Sequence, residues 1–278
     1  MTHSLLTSLL LATAMLLCPR VALACDDATL ASVLGAAYPR SSVHDDGLQL
    51  RLHDGSRVID LAQVQCKAWP AQPELTLLAV TLLEPSAAVE EAEQGQPIGV
   101  ADLEVLVVDS ATLAVRHRHR ENGVLTSDAI GVTGLNLDTA LYRLGPKVLA
   151  FGVRIARTGA SRANPFSIES LRLYVVRDGA LQPVLRNLAV GRASGEWDTR
   201  CVGRWRDITR TVAIGEPGPS GWADLLVSGQ VVDSVTAEKG GECDESEHHE
   251  SQQQVRLRHD GASYPVPEDW RGFDDHYL

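Results

Sequence analysis

Lysine is nearly missing from this 278-residue chain: positions 67, 147 and 239 hold every one, and arginine carries the rest of the basic charge. That imbalance reads as codon bias rather than as a functional choice. Beyond the first two dozen residues there is also no apolar run of the roughly eighteen residues that a spanning helix needs. A mature chain starting near residue 25 therefore has no transmembrane span. No C-x-x-C pair occurs, which removes zinc-ribbon spacing. No G-x-S-x-G elbow, Walker A loop or dinucleotide fingerprint is present, so no reaction is encoded locally. The formal net charge of −11 disfavours non-specific nucleic-acid binding. No cofactor is expected.

What is present begins with an export signature. Residues 5–17 are almost wholly apolar and uncharged, followed by Pro19-Arg20 and by Ala22-Leu23-Ala24, a small-x-small pattern ahead of Cys25. A run of that length is too short to span a bilayer but suits a signal peptide over residues 1–24. The cysteines agree. Cys18 would leave with the leader, and Cys25, Cys66, Cys201 and Cys243 form an even, widely spaced set. The expected pairs are Cys25–Cys66 and Cys201–Cys243, each closing a loop worth roughly 4 kcal/mol by chain entropy. Oxidised cysteines fit the periplasm or the exterior. Cys25 also stands where a lipoprotein would be acylated, an alternative that would strand one of the other three.

Charge is unevenly placed. Residues 143–210 carry a net of +8 and residues 211–278 a net of −10. Either the two segments face one another, or the middle segment presents an anion-attracting face.

Periodicity points to a mainly β fold. One short N-terminal helix is expected after a cap at Asp26 or Asp27, with Leu30, Val33, Leu34 and Ala37 on one face and Pro39 beyond its end. From there the period changes to two. Residues 48–53, 149–155, 171–175 and 255–257 alternate in and out, punctuated by Asp54-Gly55, Asn122-Gly123, Asp178-Gly179 and Asp260-Gly261. Such runs read as antiparallel hairpins. A repeat is also visible. GVADLEV at 99–105 matches GWADLLV at 221–227, and VVDSAT at 107–112 matches VVDSVT at 231–236. Glu-Pro, a cysteine and a D-G turn precede each in the same order, which suggests a duplicated unit over about 45–120 and 168–240. Stacked meanders must pack sheet on sheet, so the expected domain (25–267) is a sandwich-like assembly, with propeller-like blades as the alternative. The acidic stretch 242–250 reads as a loop, and 268–278 as a frayed C-terminal tail.

The G-x-A-D-L-x-V strings resemble the strand start of FG-GAP/VCBS propeller repeats. That family places a calcium loop just ahead of the strand. Here IGEPGPS (214–220) and AEQGQPI (92–98) lack its ligands, so the resemblance implies no activity. The wider layout is similar to that of uncharacterised exported proteins of Gram-negative bacteria. It comprises a signal, Cys25, Cys66-x-x-Trp69, Glu196-Trp197-Asp198 before Cys201, then the A-D-L strand.

Candidate chemistry is sparse. Glu196, Trp197 and Asp198 with Trp205 and Trp222 offer an aromatic sugar- or peptide-binding surface, against the alternative of plain core packing. His248, His249 and Glu250, next to Cys243, offer weak metal ligands without any recognised spacing. His117 and His119 share a strand face, but Arg116, Arg118 and Arg120 oppose a cation and suggest a charged edge strand. The expectation is an exported envelope protein acting as a non-enzymatic binding module for an envelope protein or polysaccharide. The alternatives are a secreted hydrolase using a distant acid/base pair such as Glu196 and Asp198, or an accessory or inhibitory partner of an envelope enzyme.

Overall fold

The computed structural model describes residues 24–44, 47–85, 99–125 and 127–273. The expected leader, apart from Ala24, lies outside them, as does the 92–98 segment. α1 (Asp27–Ala37) starts where Asp26 accepts from the Thr29 N–H at 2.7 Å and buries Val33, Leu34 and Ala37. Among the described residues, fourteen strands then build two antiparallel sheets of seven.

The first sheet contains β1 (Ser42–Val43), β2 (Gln49–Arg51), β3 (Val58–Asp60), β4 (Gln65–Ala68), β5 (Leu75–Leu83), β6 (Ala101–Asp109) and β7 (Val115–Glu121). Its order is β1-β2-β3-β5-β6-β7, with β3 and β4 both pairing to β5. The second sheet is an unbroken meander: β8 (Ile130–Gly145), β9 (Val148–Gly159), β10 (Phe166–Arg177), β11 (Ala180–Trp197), β12 (Gly203–Pro217), β13 (Ala223–Lys239) and β14 (Glu242–Leu257). Turn chemistry sets the registers. Asp178 and Gly179 adopt φ of 53° and 79°, the left-handed pair that a tight hairpin between Arg177 and Ala180 requires.

The sheets pack face to face, as a sandwich does. Leu77, Ala79, Leu103 and Val105 of the first meet Leu137, Phe151, Val153 and Ile155 of the second. Trp69 sits edge-on to Phe151 at 5.2 Å. α1 covers the other face of the first sheet over Leu78, Val80 and Leu106. On the second sheet another core joins Tyr142 and Leu144 of β8 to Leu225 and Val227 of β13. The meander therefore curls on itself, although its edge strands β8 and β14 are not paired to each other.

The cysteines pair as Cys25–Cys66 and Cys201–Cys243, with Cα separations of 5.4 and 5.1 Å. Among the described residues, no helix is long and apolar enough to cross a membrane. Two expectations need correction. The 242–250 stretch is not a loop but the first half of β14, reached through a Gly240-Gly241 turn. It is exposed throughout, so no in/out alternation marked it as a strand. The C-terminal segment is not frayed through residue 273. Glu268–Trp270 forms a 3-10 turn, Arg271 bridges Leu188, and the Gly272 N–H donates to the Asn187 carbonyl at 2.7 Å.

The two A-D-L strings fall on β6 and β13, each the middle strand of three antiparallel neighbours. In both, the aspartate is buried and engaged by arginines of the next strand. Asp102 meets Arg120 as well as Arg57, and Asp224 meets Arg256 and Arg258. The likeness ends at the second string. VVDSAT turns at Ser110 after β6, whereas VVDSVT continues inside β13 to Lys239.

Candidate functional site

β11 to β14 are long, and their far ends run beyond the hydrophobic cores as a four-stranded ribbon. Residues 191–197, 203–210, 228–239 and 242–254 are paired there in continuous register, apart from one irregularity between Val235 and Thr236. Side chains in one cross-strand row share a face, and successive rows alternate. The register thus sorts this ribbon into two chemically different surfaces.

One face carries tryptophan, hydroxyl and amide groups. Gly195, Trp205, Ser234 and His248 form one row, and Gly191, Thr209, Gln230 and Gln252 another. The Trp205 ring lies down on the sheet over Gly195 and Gly203. A Cβ at Gly195 would stand 2.6 Å from its Cε3, and one at Gly203 2.9 Å from its Nε1. Trp205 Nε1 donates to Thr236 Oγ1 at 3.2 Å, and the Trp197 ring lies 6.2 Å away. A polar depression of about 350 Å³ farther along is lined by Thr209, Thr211, Ser228, Gln230, Gln252 and Gln254. Gln230 donates to Glu250 at 3.1 Å, so this carboxylate is tied to an amide of the same face.

The opposite face is basic. Its rows place Ile168, Arg192, Ile208 and Val231 side by side, and next to them Phe166, Ser194, Arg206 and Asp233. Arg210 lies on the same face two residues beyond Ile208. A depression of about 570 Å³ runs past Arg192, Arg206 and Arg210 and is bounded by Trp270. It adjoins another of about 430 Å³ that shares Ser194 and Arg206 and extends to Arg204 and Glu196. Arg210 is buried, packs on the Trp270 ring at 4.3 Å, and donates to the Ala189 carbonyl. Its buried Nε has no partner among the described residues. Burial, and then the charge of Arg192, push the Arg210 pKa down from its ordinary value. A guanidinium stays protonated regardless, so that pressure is a standing preference for negative charge nearby.

The expected site is thus divided. Trp197 and Trp205 come together. Glu196 pairs across from Arg204, on the arginine face. Asp198 accepts from the Arg200 and Val202 N–H groups at 2.8 and 3.0 Å and shapes the turn before Cys201. Trp222 stands apart at the other end of β13, stacked on His259 at 4.0 Å and beneath Arg177. His248 is bracketed by Glu245 and Glu250 at 2.6 and 3.0 Å, while His249 pairs opposite Asp233 on the arginine face. Hydrogen bonds to Glu250 and then Glu245 raise the His248 pKa. Among the described residues no group of three or more His, Cys, Asp or Glu side chains is arranged to hold a metal ion.

β7 is an edge strand, and its arginines are engaged: Arg116 with Asp109, Arg118 with Glu104, Arg120 with Asp102. His119 turns the other way, toward Tyr174.

Family models, curated proteins and solved structures were all compared with the chain, and none matches. Function is read from its own residues. The basic groove is only half legible in the sequence. The excess of arginine over residues 143–210 is plain in the sequence, but the register that brings Arg192, Arg206 and Arg210 to one face is not.

Proposed function

We propose that this protein is an exported, non-enzymatic binding module of the cell envelope that holds a polysaccharide chain on the tryptophan face of its ribbon. Trp205 carries the reading. A tryptophan kept merely for packing would be covered by apolar neighbours. This one lies on two glycines, is pinned through its N–H by Thr236, and remains only half-buried beside Trp197. A flat aromatic surface of that kind stacks on the apolar face of a sugar ring, and its rigidity keeps the entropic cost low. The neighbouring Thr209, Gln230 and Gln252 supply donors and acceptors matched to hydroxyl groups. Two disulfides support the exported compartment. With its sulfur bonded to Cys66, Cys25 has no thiol left to acylate, which favours periplasm or exterior over a lipid anchor.

Affinity electrophoresis through gels containing soluble envelope and plant glycans tests the reading, with tryptophan fluorescence as a second readout. At least one glycan should retard the wild-type protein. Trp197→Ala/Trp205→Ala should weaken that binding at least tenfold, about 1.4 kcal/mol. Retardation by none of the glycans, or equal retardation of the double variant, would count decisively against it.

A further inference from the structure

We infer that the opposite, arginine-lined face of the ribbon is a second binding site, one that takes the carboxylate groups of an acidic polysaccharide. It does not depend on the tryptophan platform, because strand register turns Arg192, Arg206 and Arg210 to the face opposite Trp197 and Trp205.

Three observations converge on this site. First, its guanidinium groups are held in place yet electrically unsatisfied. Arg192 lies over the Phe166 ring at 5.4 Å and has neither a hydrogen-bond nor a carboxylate partner among the described residues. Arg210 rests on Trp270, and its terminal nitrogens donate to the Ala189 carbonyl and, at 3.5 Å, to Gln253 Oε1 and the Asp269 carbonyl, with no carboxylate against its charge among the described residues. Arg206 faces Asp233 at 3.5 Å with both side chains substantially exposed. The Phe166 ring steadies Arg192 without consuming its donors, which leaves its charge and N–H groups for a ligand, while buried Arg210 contributes charge alone.

Second, the charges are spaced along a line. Arg204, Arg206 and Arg210 alternate down one strand, so consecutive positions on that face are about 7 Å apart. Arg192 stands across from the gap at Ile208. The two adjoining depressions make the surface a trough rather than a pit, which suits a chain carrying repeated charges better than a single small anion.

Third, the trough is not lined by charge alone. Ser194 and Gln253 contribute a hydroxyl and an amide, and Asp269 also lines it. A polyphosphate would make little use of the amide carbonyl, since it offers few donors. A uronate chain has a carboxylate on each ring and hydroxyls that both give and accept hydrogen bonds, so it uses all three kinds of group.

The test is fluorescence anisotropy with labelled polygalacturonate, run in parallel with poly-L-glutamate, polyphosphate and uncharged dextran. The full mature protein is compared with Arg192→Ala/Arg206→Ala and with Trp205→Ala. Both arginines are exposed, and circular dichroism verifies the fold; Arg206→Glu alone serves as a second variant of opposite charge. Polygalacturonate should bind the wild type most tightly of the four and lose affinity as salt rises. The double arginine variant and Arg206→Glu should each bind at least tenfold more weakly, with Trp205→Ala within twofold of wild type. The inference fails if polygalacturonate does not bind, or if both arginine variants bind within twofold of wild type. It also fails if poly-L-glutamate or polyphosphate binds as tightly, which would make the trough a site for an acidic peptide or for phosphate. Loss of binding in Trp205→Ala alone would move the acidic chain to the other face and likewise overturn it.

Discussion

Single side chains of this protein show how burial decides the meaning of a charge. Asp102 is buried and meets Arg57, Arg120 and the Gly123 N–H. Burial pushes its pKa up, but the Arg120 and Gly123 hydrogen bonds and then Arg57 outweigh it, leaving the pKa below its ordinary value. The folded state therefore holds the anion more firmly than the unfolded chain does. Its contribution is complete above the unfolded pKa, about 3.9, and is lost as pH falls through the lower folded value. Asp102→Asn strands two arginines, and urea denaturation should show a loss of about 3 kcal/mol. Asp224 has longer contacts, 3.4 and 3.7 Å, with more exposed arginines, so Asp224→Asn should cost less. The histidines offer a second check. In an NMR titration His248 should titrate above the ordinary 6.5 because of Glu250 and Glu245. His119 and His259 should titrate below it, chiefly because burial disfavours their charged forms. For His259 the sign is destabilising in acid: as pH falls below 6.5 the unfolded chain takes the proton first. A titration placing His248 below His259 would contradict the arrangement.

Among the elements, the ribbon is the one whose sequence and shape disagree most instructively. Its first three strands hold Gly191, Gly195, Gly203 and Gly229, residues that weaken a strand by propensity alone. At 195 and 203 the missing Cβ is the space that the Trp205 ring occupies. Gly195→Ala should lift the ring off the sheet, with a shift in tryptophan emission and weaker retention on any glycan that binds the wild type. Unchanged emission would show that the ring does not rest there. The ribbon also depends on its cross-link. Cys201–Cys243 ties the loop before β12 to the start of β14 across 42 residues. Replacing both cysteines by serine should remove up to about 4 kcal/mol in the chain-entropy model, measured by denaturation under non-reducing conditions.

At the scale of the whole molecule, the two sheets are joined by packing and by polar contacts between them. Glu121, on β7, accepts from Arg172 at 2.8 Å and from the Tyr174 hydroxyl at 2.5 Å, both on β10. Lys67 reaches across to the Leu137 carbonyl at 2.9 Å. Phe151 sits between Trp69 and Tyr174 in the shared core, fully buried. Phe151→Ala should cost about 3–5 kcal/mol, with near-ultraviolet and far-ultraviolet circular dichroism falling in one transition, because neither sheet keeps its inner face covered without the other. Separate transitions would mean that the sheets are independent units.

Asn122-Gly123 and Asp260-Gly261 turn the chain without joining paired strands, whereas local features determined the β class, the helix at Asp27–Ala37, the hairpins at Asp54-Gly55 and Asp178-Gly179 and the cysteine pairs. Each depends on neighbours in sequence: alternation, a cap, a left-handed turn, a parity of thiols. The 242–250 strand carries no period-two signal because both its faces are polar and exposed. Only tertiary structure decided which arginines share a face, that Trp222 stands apart from Trp197 and Trp205, and that Glu196 and Trp197 look opposite ways. Those outcomes are set by register between strands distant in the chain, and a one-residue slip in register reverses every face.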